Sequence, residues 1–234
     1  MSKSKRLDSS MVKQGLVSSS SQAKKINSLN KLKLNSRPIQ YIEHPIKLDA
    51  KDIYVSRAGL KLDFANQTFK VNFKNNIVLD VGSSTGGFSD YALKHGAKQV
   101  VAVDKGSHQM HHSLRLNKQL SLYEKTDIRD FKTNLCPDVV LIDVSFISLV
   151  EILPHIHKLV SKKSKIIALV KPQFETKDNK LKIDGVIKNN RLRRQILKQF
   201  EEQIKHQFRI LAKVDSRVPG VKGNIERFYY LKKI

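Results

Sequence analysis

Four short runs constrain this chain more than anything else in it: Ile77-Val78-Leu79-Asp80-Val81, Val100-Val101-Ala102-Val103-Asp104, Val139-Val140-Leu141-Ile142-Asp143 and Ile166-Ile167-Ala168-Leu169-Val170. Each is apolar along almost its whole length and does not alternate, the pattern of a strand covered on both faces. Helical patterns at residues 87–95, 106–116 and 148–162 separate them. Strand, crossover helix and strand in repeated order predict a parallel sheet. An amphipathic helix is expected over 54–69, before the first strand. Another is expected over 190–208, with Leu192, Ile196, Leu197, Phe200 and Ile204 on one face. Residues 208–214 and 225–231 are expected to close the sheet as a pair. The fold class is α/β.

A ligand of such a sheet sits at the carboxyl ends of its strands. There the chain reads Asp80-Val81-Gly82-Ser83-Ser84-Thr85-Gly86-Gly87-Phe88, a glycine-rich turn from strand into helix. Glycines let a backbone come close to a ligand. A dinucleotide would use such a turn for its phosphates, but Asp80 puts a negative charge beside it. A carboxylate there repels pyrophosphate and suits a ligand carrying an ammonium and a sulfonium. Asp104 ends the next strand, where it can accept both hydroxyls of an adenosine ribose. Asp127, followed by Ile128, can accept from the adenine amino group. Successive acidic strand ends point to S-adenosylmethionine. The predicted contacts are Asp80, Gly82, Ser84, Thr85, Gly86, Gly87, Phe88, Asp104, Asp127, Ile128 and Asp143.

Asp143 ends the third of these apolar runs and Lys171 directly follows the fourth, Lys61 lies on the helix before the first, and Glu226 opens the last strand. Lys171 interrupts an apolar stretch, where a charge is costly unless used. A hydroxyl attacking a methyl carbon must lose its proton. A lysine amine can take it if neighbouring cations favour its neutral form. Asp143 opposes that shift while directing the amine, so the residues alone leave the balance open.

Residues 1–51 differ in texture. A polar, basic helix is expected over 6–26, and half-buried strands with a basic outer face over 31–34 and 39–42. Lysine and arginine number 44 against 21 aspartate and glutamate, a formal net charge of +23. Such a chain attracts polyanions: nucleic acid first, an anionic membrane second. Its apolar runs are far shorter than the roughly 20 residues of a membrane-spanning helix. Its N-terminus lacks the apolar stretch of a secretory signal. One cysteine, Cys136, excludes an intrachain disulfide. These features predict a cytoplasmic protein without a membrane partner. His108, His111 and His112 lack companion ligands, so no metal is expected.

Five stretches resemble the TlyA family, called hemolysin A or ribosomal RNA methyltransferase. They are Tyr54-Val55-Ser56-Arg57-Ala58-Gly59-Leu60-Lys61-Leu62, the turn from Asp80 to Phe88, Asp143-Val144-Ser145-Phe146-Ile147-Ser148-Leu149, Lys171-Pro172-Gln173-Phe174-Glu175 and Gly223-Asn224-Ile225-Glu226. The resemblance implies an FtsJ-like, Rossmann-like methyltransferase domain using S-adenosylmethionine. It implies methylation of ribose 2′-hydroxyls, cytidine first, in ribosomal RNA. It also implies a Lys-Asp-Lys-Glu tetrad, which falls on Lys61, Asp143, Lys171 and Glu226. By that analogy Lys171 is the base, Asp143 and Lys61 position groups around the transfer, and Glu226 holds a lysine or the ribose.

The N-terminal region is similar to the family's small α+β S4 RNA-binding domain, carried by Arg6-Leu7-Asp8 and Gly15-Leu16-Val17. It departs from that pattern in having Ser19-Ser20 for a serine-arginine pair. Arg6, Lys24, Lys25, Lys31, Lys33, Arg37 and Arg57 are the expected RNA contacts. The expected division is a degenerate S4-like domain over 1–52, a linker over 53–58 and the methyltransferase domain over 59–234. Ribosomal RNA or ribosomal subunits are the expected partners, and a monomer or weak oligomer the expected state. Two other readings remain: a hemolysin-like membrane-active protein, and a non-catalytic RNA-binding protein that keeps the fold.

Overall fold

The computed structural model describes residues 54–176, 185–220 and 222–234, and the backbone of four short strands before them. The chain divides into two compact units, Met1–Ile53 and Tyr54–Ile234. In the first, β1 (Lys5–Arg6) pairs antiparallel with β4 (Tyr41–Ile42), and β2 (Lys33–Leu34) with β3 (Arg37–Pro38). Strands were expected near β2 and β4. The helix expected over 6–26 falls, beyond Arg6, outside the described residues, as do Lys24, Lys25 and Lys31.

In the second unit the apolar runs become β5 (Ile77–Val81), β6 (Gln99–Val103), β8 (Val139–Ile142) and β9 (Lys165–Val170). With β7 (Leu120–Tyr123), β10 (Phe208–Asp215) and β11 (Arg227–Lys233) they form one sheet, in the order β10-β11-β9-β8-β5-β6-β7. The strands from β7 to β9 are parallel, and β11 enters antiparallel between β9 and β10. β5 and β8 are neighbours although two strands lie between them in the chain, so the winding reverses there. Such a switch point leaves a crevice between the loops that diverge from it.

Helices cover both faces. α1 (Arg57–Phe69) and α2 (Gly87–Lys94) pack on one; α4 (Leu149–Leu159) and α6 (Asn190–Ile204) on the other. Two short helices, α3 (His112–Arg115) and α5 (Pro172–Glu175), lie in the connections. On the second face Leu149, Ile152, Leu153 and Ile156 of α4 and Leu197, Phe200 and Ile204 of α6 bury against Val140, Ile142, Ile166 and Ala168. On the first, Phe88 meets Phe228 and Phe69 meets Tyr230, with ring centroids 6.2 and 5.7 Å apart. Burial on both sides explains why the runs show no alternation.

The structure departs from expectation in two places. A helix was expected over 106–116, but only His112–Arg115 is helical. Gly106 N donates to Asp104 Oδ1, and His108, at φ 60°, donates through its N–H to Glu124 Oε1. These local bonds draw the first residues into a turn that cannot also be helix. Residues 54–58, expected as linker, belong to the second unit. Tyr54 is buried against Tyr91, Val55 N donates to Asp90 Oδ2 at 2.9 Å, and Ser56 caps α1.

Candidate active site

The crevice at the switch point is a cleft of about 640 Å³. That is within the range that takes a small-molecule ligand. Of the predicted cofactor residues, Gly82, Ser84, Asp104, Asp127, Ile128 and Asp143 line it. Gly82 sits at φ 77°, and a Cβ there would come within 2.7 Å of Asp143 O. Only glycine lets the loops after β5 and β8 run this close.

Asp104 is held by its neighbours. Ser84 N donates to Oδ2 at 2.7 Å and Gly106 N to Oδ1 at 2.6 Å. Each carboxylate oxygen keeps capacity for a further donor, so vicinal hydroxyls fit. Asp80 lies beneath the turn, fully buried. Ser89 Oγ donates to its Oδ2 at 2.6 Å, while Oδ1 has no hydrogen-bond partner among the described residues. Burial pushes its carboxyl up to about 7, against the Ser89 bond, and Asp143 and Asp104 push the same way. An orphaned carboxylate oxygen with two further carboxylates nearby fits a cationic ligand.

Five predicted contacts do not line the cleft: the buried Asp80 and the four residues from Thr85 to Phe88. Thr85 is exposed, and its carbonyl accepts from His111 N at 3.2 Å. Gly86 and Gly87 answer to protein neighbours: a Cβ on Gly86 would meet Leu114 at 2.3 Å, and one on Gly87 would meet Ser56 Oγ at 2.2 Å. Phe88 is core. These residues let α2 start tight against α1 and the loop before α3. Asp127 lines the cleft but is already engaged. Arg129 donates to it from N at 3.0 Å, Nε at 2.9 Å and Nη2 at 2.7 Å. Those bonds hold its carboxyl well below the usual carboxylate range.

The four predicted catalytic residues form two ion pairs. Lys171 Nζ lies 2.7 Å from Asp143 Oδ1 and donates to Ser145 Oγ at 2.8 Å. The contact with Oδ1 is a charge pair without hydrogen-bond alignment, so that oxygen keeps its capacity to accept. Lys61 Nζ donates to Glu226 Oε2 at 2.6 Å, with side-chain exposures of 11% and 3%. Sheet register brings the pairs to one end. Asp143 follows β8 and Lys171 follows β9, while Arg227 sits opposite Val170, placing Glu226 beside the end of β9. α1 adds Lys61 through Glu226.

Glu175, the last residue of the Lys171-Pro172-Gln173-Phe174-Glu175 stretch, ties the site together, a role its sequence position does not suggest. Leu149 N donates to its Oε1 at 2.8 Å and Ser148 Oγ donates to Oε2. The segment after Lys171 is thereby fastened to the start of α4, close to the Asp143 loop. Arg129 and Glu151 at the cleft also escape sequence reasoning; both look like ordinary surface charges there. Arg57 is exposed at the first position of α1. Arg6, Lys33 and Arg37 lie on β1, β2 and β3. Among the described residues no group of three or more His, Cys, Asp or Glu is arranged to hold a metal, and no helix is long and apolar enough to cross a membrane.

Residues 54–233 match the FtsJ-like methyltransferase model. The chain is 40% identical to the 23S rRNA (cytidine-2′-O)-methyltransferase TlyA of Campylobacter jejuni, over 80% of this chain and 75% of that one. It is 31% identical to the 16S/23S rRNA (cytidine-2′-O)-methyltransferase TlyA of Mycobacterium tuberculosis, over 99% and 91%. A solved structure of a candidate hemolysin from Streptococcus thermophilus superposes with a TM-score of 0.73 at 32% identity, covering 100% of this chain and 90% of that one.

Proposed function

This chain belongs to the FtsJ-like methyltransferase family, and on that premise we propose that it methylates a ribose 2′-oxygen of ribosomal RNA, at cytidine, with S-adenosylmethionine as donor. The observation that carries the reading is the Asp143–Lys171 pair. Its carboxylate lines the cleft, and its amine stands 2.7 Å away at the next strand end. The bound cofactor supplies a methyl group made electrophilic by the sulfonium.

The remaining work falls to residues of the chain. Asp104 would hold the ribose of the cofactor, and Asp80 with Asp143 would favour its positive charge. Lys171 Nζ would take the proton of the 2′-hydroxyl as that oxygen accepts the methyl group from the sulfonium. Asp143 and Ser145 aim that amine. Glu226 holds Lys61 beside the end of β9, where Lys61 positions groups around the transfer. Ribosomal subunits are the partner, which puts the protein in the cytoplasm. The basic N-terminal unit, with Arg6, Lys33 and Arg37 on its strands, adds phosphate contacts.

The test is methylation of ribosomal subunits by the full chain with labelled cofactor, followed by nucleoside mass spectrometry. 2′-O-methylcytidine is expected. Label on a base, or none on RNA, would sink the reading. Leakage from anionic vesicles without RNA methylation would favour the hemolysin reading instead.

A further inference from the structure

Glu226 is 2% exposed, and only one of its oxygens is used by Lys61. The other faces the backbone of Gly220. A Cβ placed on Gly220 would lie 2.6 Å from Glu226 Oε1, closer than carbon and oxygen can sit without one of them moving. The next atoms it would meet are Glu226 Cδ at 3.4 Å and Asn224 O at 3.5 Å, both at ordinary separations. The loop that carries Gly220 is closed on itself. Gly220 N donates to Asn224 O and Gly223 N to Gly220 O, each at 2.9 Å, and Ser216 N donates to Glu226 O at 2.8 Å. Asn224, buried, fastens this loop to the segment before α6. Its Oδ1 accepts from Ile187 N at 2.8 Å and its Nδ2 donates to Gly185 O at 3.0 Å. Glu226 is thus held between a fixed backbone wall and Lys61.

We infer that Gly220 is a positioning residue for methyl transfer, because the missing side chain leaves the space in which Glu226 holds Lys61. The inference rests on the part given above to the Lys61–Glu226 pair. The backbone of Gly220 lies outside the left-handed region, so alanine meets no backbone strain there. The intruding methyl would press on the far end of a side chain and on little else. The fold therefore survives, and the displacement falls on the carboxylate and on the amine bonded to it. Gly87 behaves differently, since a methyl there would also meet backbone at 2.9 Å. Misplacing a group by about 1 Å near a reacting centre can reduce rate about 100-fold.

A double-mutant cycle on the full-length protein tests this. The variants are Gly220→Ala, Glu226→Asp and the two combined; aspartate is one methylene shorter and draws the carboxylate away from residue 220. Three quantities are measured: single-turnover methyl transfer to ribosomal subunits at saturating cofactor, cofactor Kd by calorimetry, and the thermal midpoint. Gly220→Ala is expected to slow transfer about tenfold or more, with Kd and midpoint close to wild type. In the Glu226→Asp background the same alanine is expected to reduce the rate less than about threefold. A wild-type rate in Gly220→Ala would overturn the inference. So would an equal fold-loss in both backgrounds, or a rate loss matched by a loss of stability. Failure of the proposed function itself is read separately, from the wild-type protein leaving subunits unmethylated.

Discussion

Arg129 grips both oxygens of Asp127, with Nε on Oδ1 at 2.9 Å and Nη2 on Oδ2 at 2.7 Å. A carboxylate has about four acceptor positions, so Asp127 can serve an adenine amino group only from the place Arg129 gives it. Arg129→Ala is expected to weaken S-adenosylhomocysteine binding about tenfold, the scale of one hydrogen bond to a charged group. Isothermal titration checks it, and an unchanged affinity would show that Asp127 needs no anchor.

Asp80 predicts a pH dependence whose sign can be worked out. Its carboxyl is raised from 3.8 to about 7 in the fold. Between those values the folded state binds the extra proton, so stability falls as pH rises from about 4 to about 7 and levels above. From pH 5 to pH 7.5 the loss in the cofactor-free protein is expected to reach about 2–3 kcal/mol at most. Asp80→Asn imitates the protonated form and should flatten that slope. Denaturant unfolding across this range measures it, and parallel slopes in the two proteins would count against a buried, titrating Asp80.

Lys171→Ala is expected to abolish methyl transfer while leaving cofactor affinity within a few fold. Asp143, 16% exposed and lining the cleft, then faces the cofactor without its partner and still favours a cation. Single-turnover kinetics beside calorimetry separate the two effects. Turnover at the wild-type rate would remove Lys171 from the role of base.

Neutralising Arg6, Lys24, Lys25, Lys31, Lys33 and Arg37 with glutamine should weaken binding to ribosomal subunits and flatten its dependence on salt. Every phosphate that goes unneutralised lowers the slope of log K against log salt by somewhat under one. A slope identical to wild type would place the electrostatic attraction elsewhere on the chain.

Much of the architecture was legible in residue order. The runs at Ile77, Val100, Val139 and Ile166 read as doubly covered strands and are. The expected C-terminal pair formed β10 and β11. The region after Asp104 reads as helix and is not, because side-chain and backbone bonds to Asp104 and Glu124 compete with helix there. The glycine turn was legible as a turn but not in its reasons. Gly82 serves the cleft, whereas Gly86 and Gly87 serve the packing of α2. In a string, a glycine needed for a ligand and one needed for a neighbouring helix look the same.

Residue order alone determined which positions fall at strand ends, because burial on two faces and a change to helical period are local properties of the chain. It also placed Asp143, Lys171 and Glu226 at strand ends and Lys61 on the helix before the first strand. Which of them pair was settled only by tertiary structure. Lys61 and Glu226 stand 165 residues apart, and they meet because β11 turns back antiparallel beside β9 while α1 packs on the same face. Gly220 shows the same limit: the atom it must avoid belongs to a side chain six positions on, and only the closed loop brings the two together.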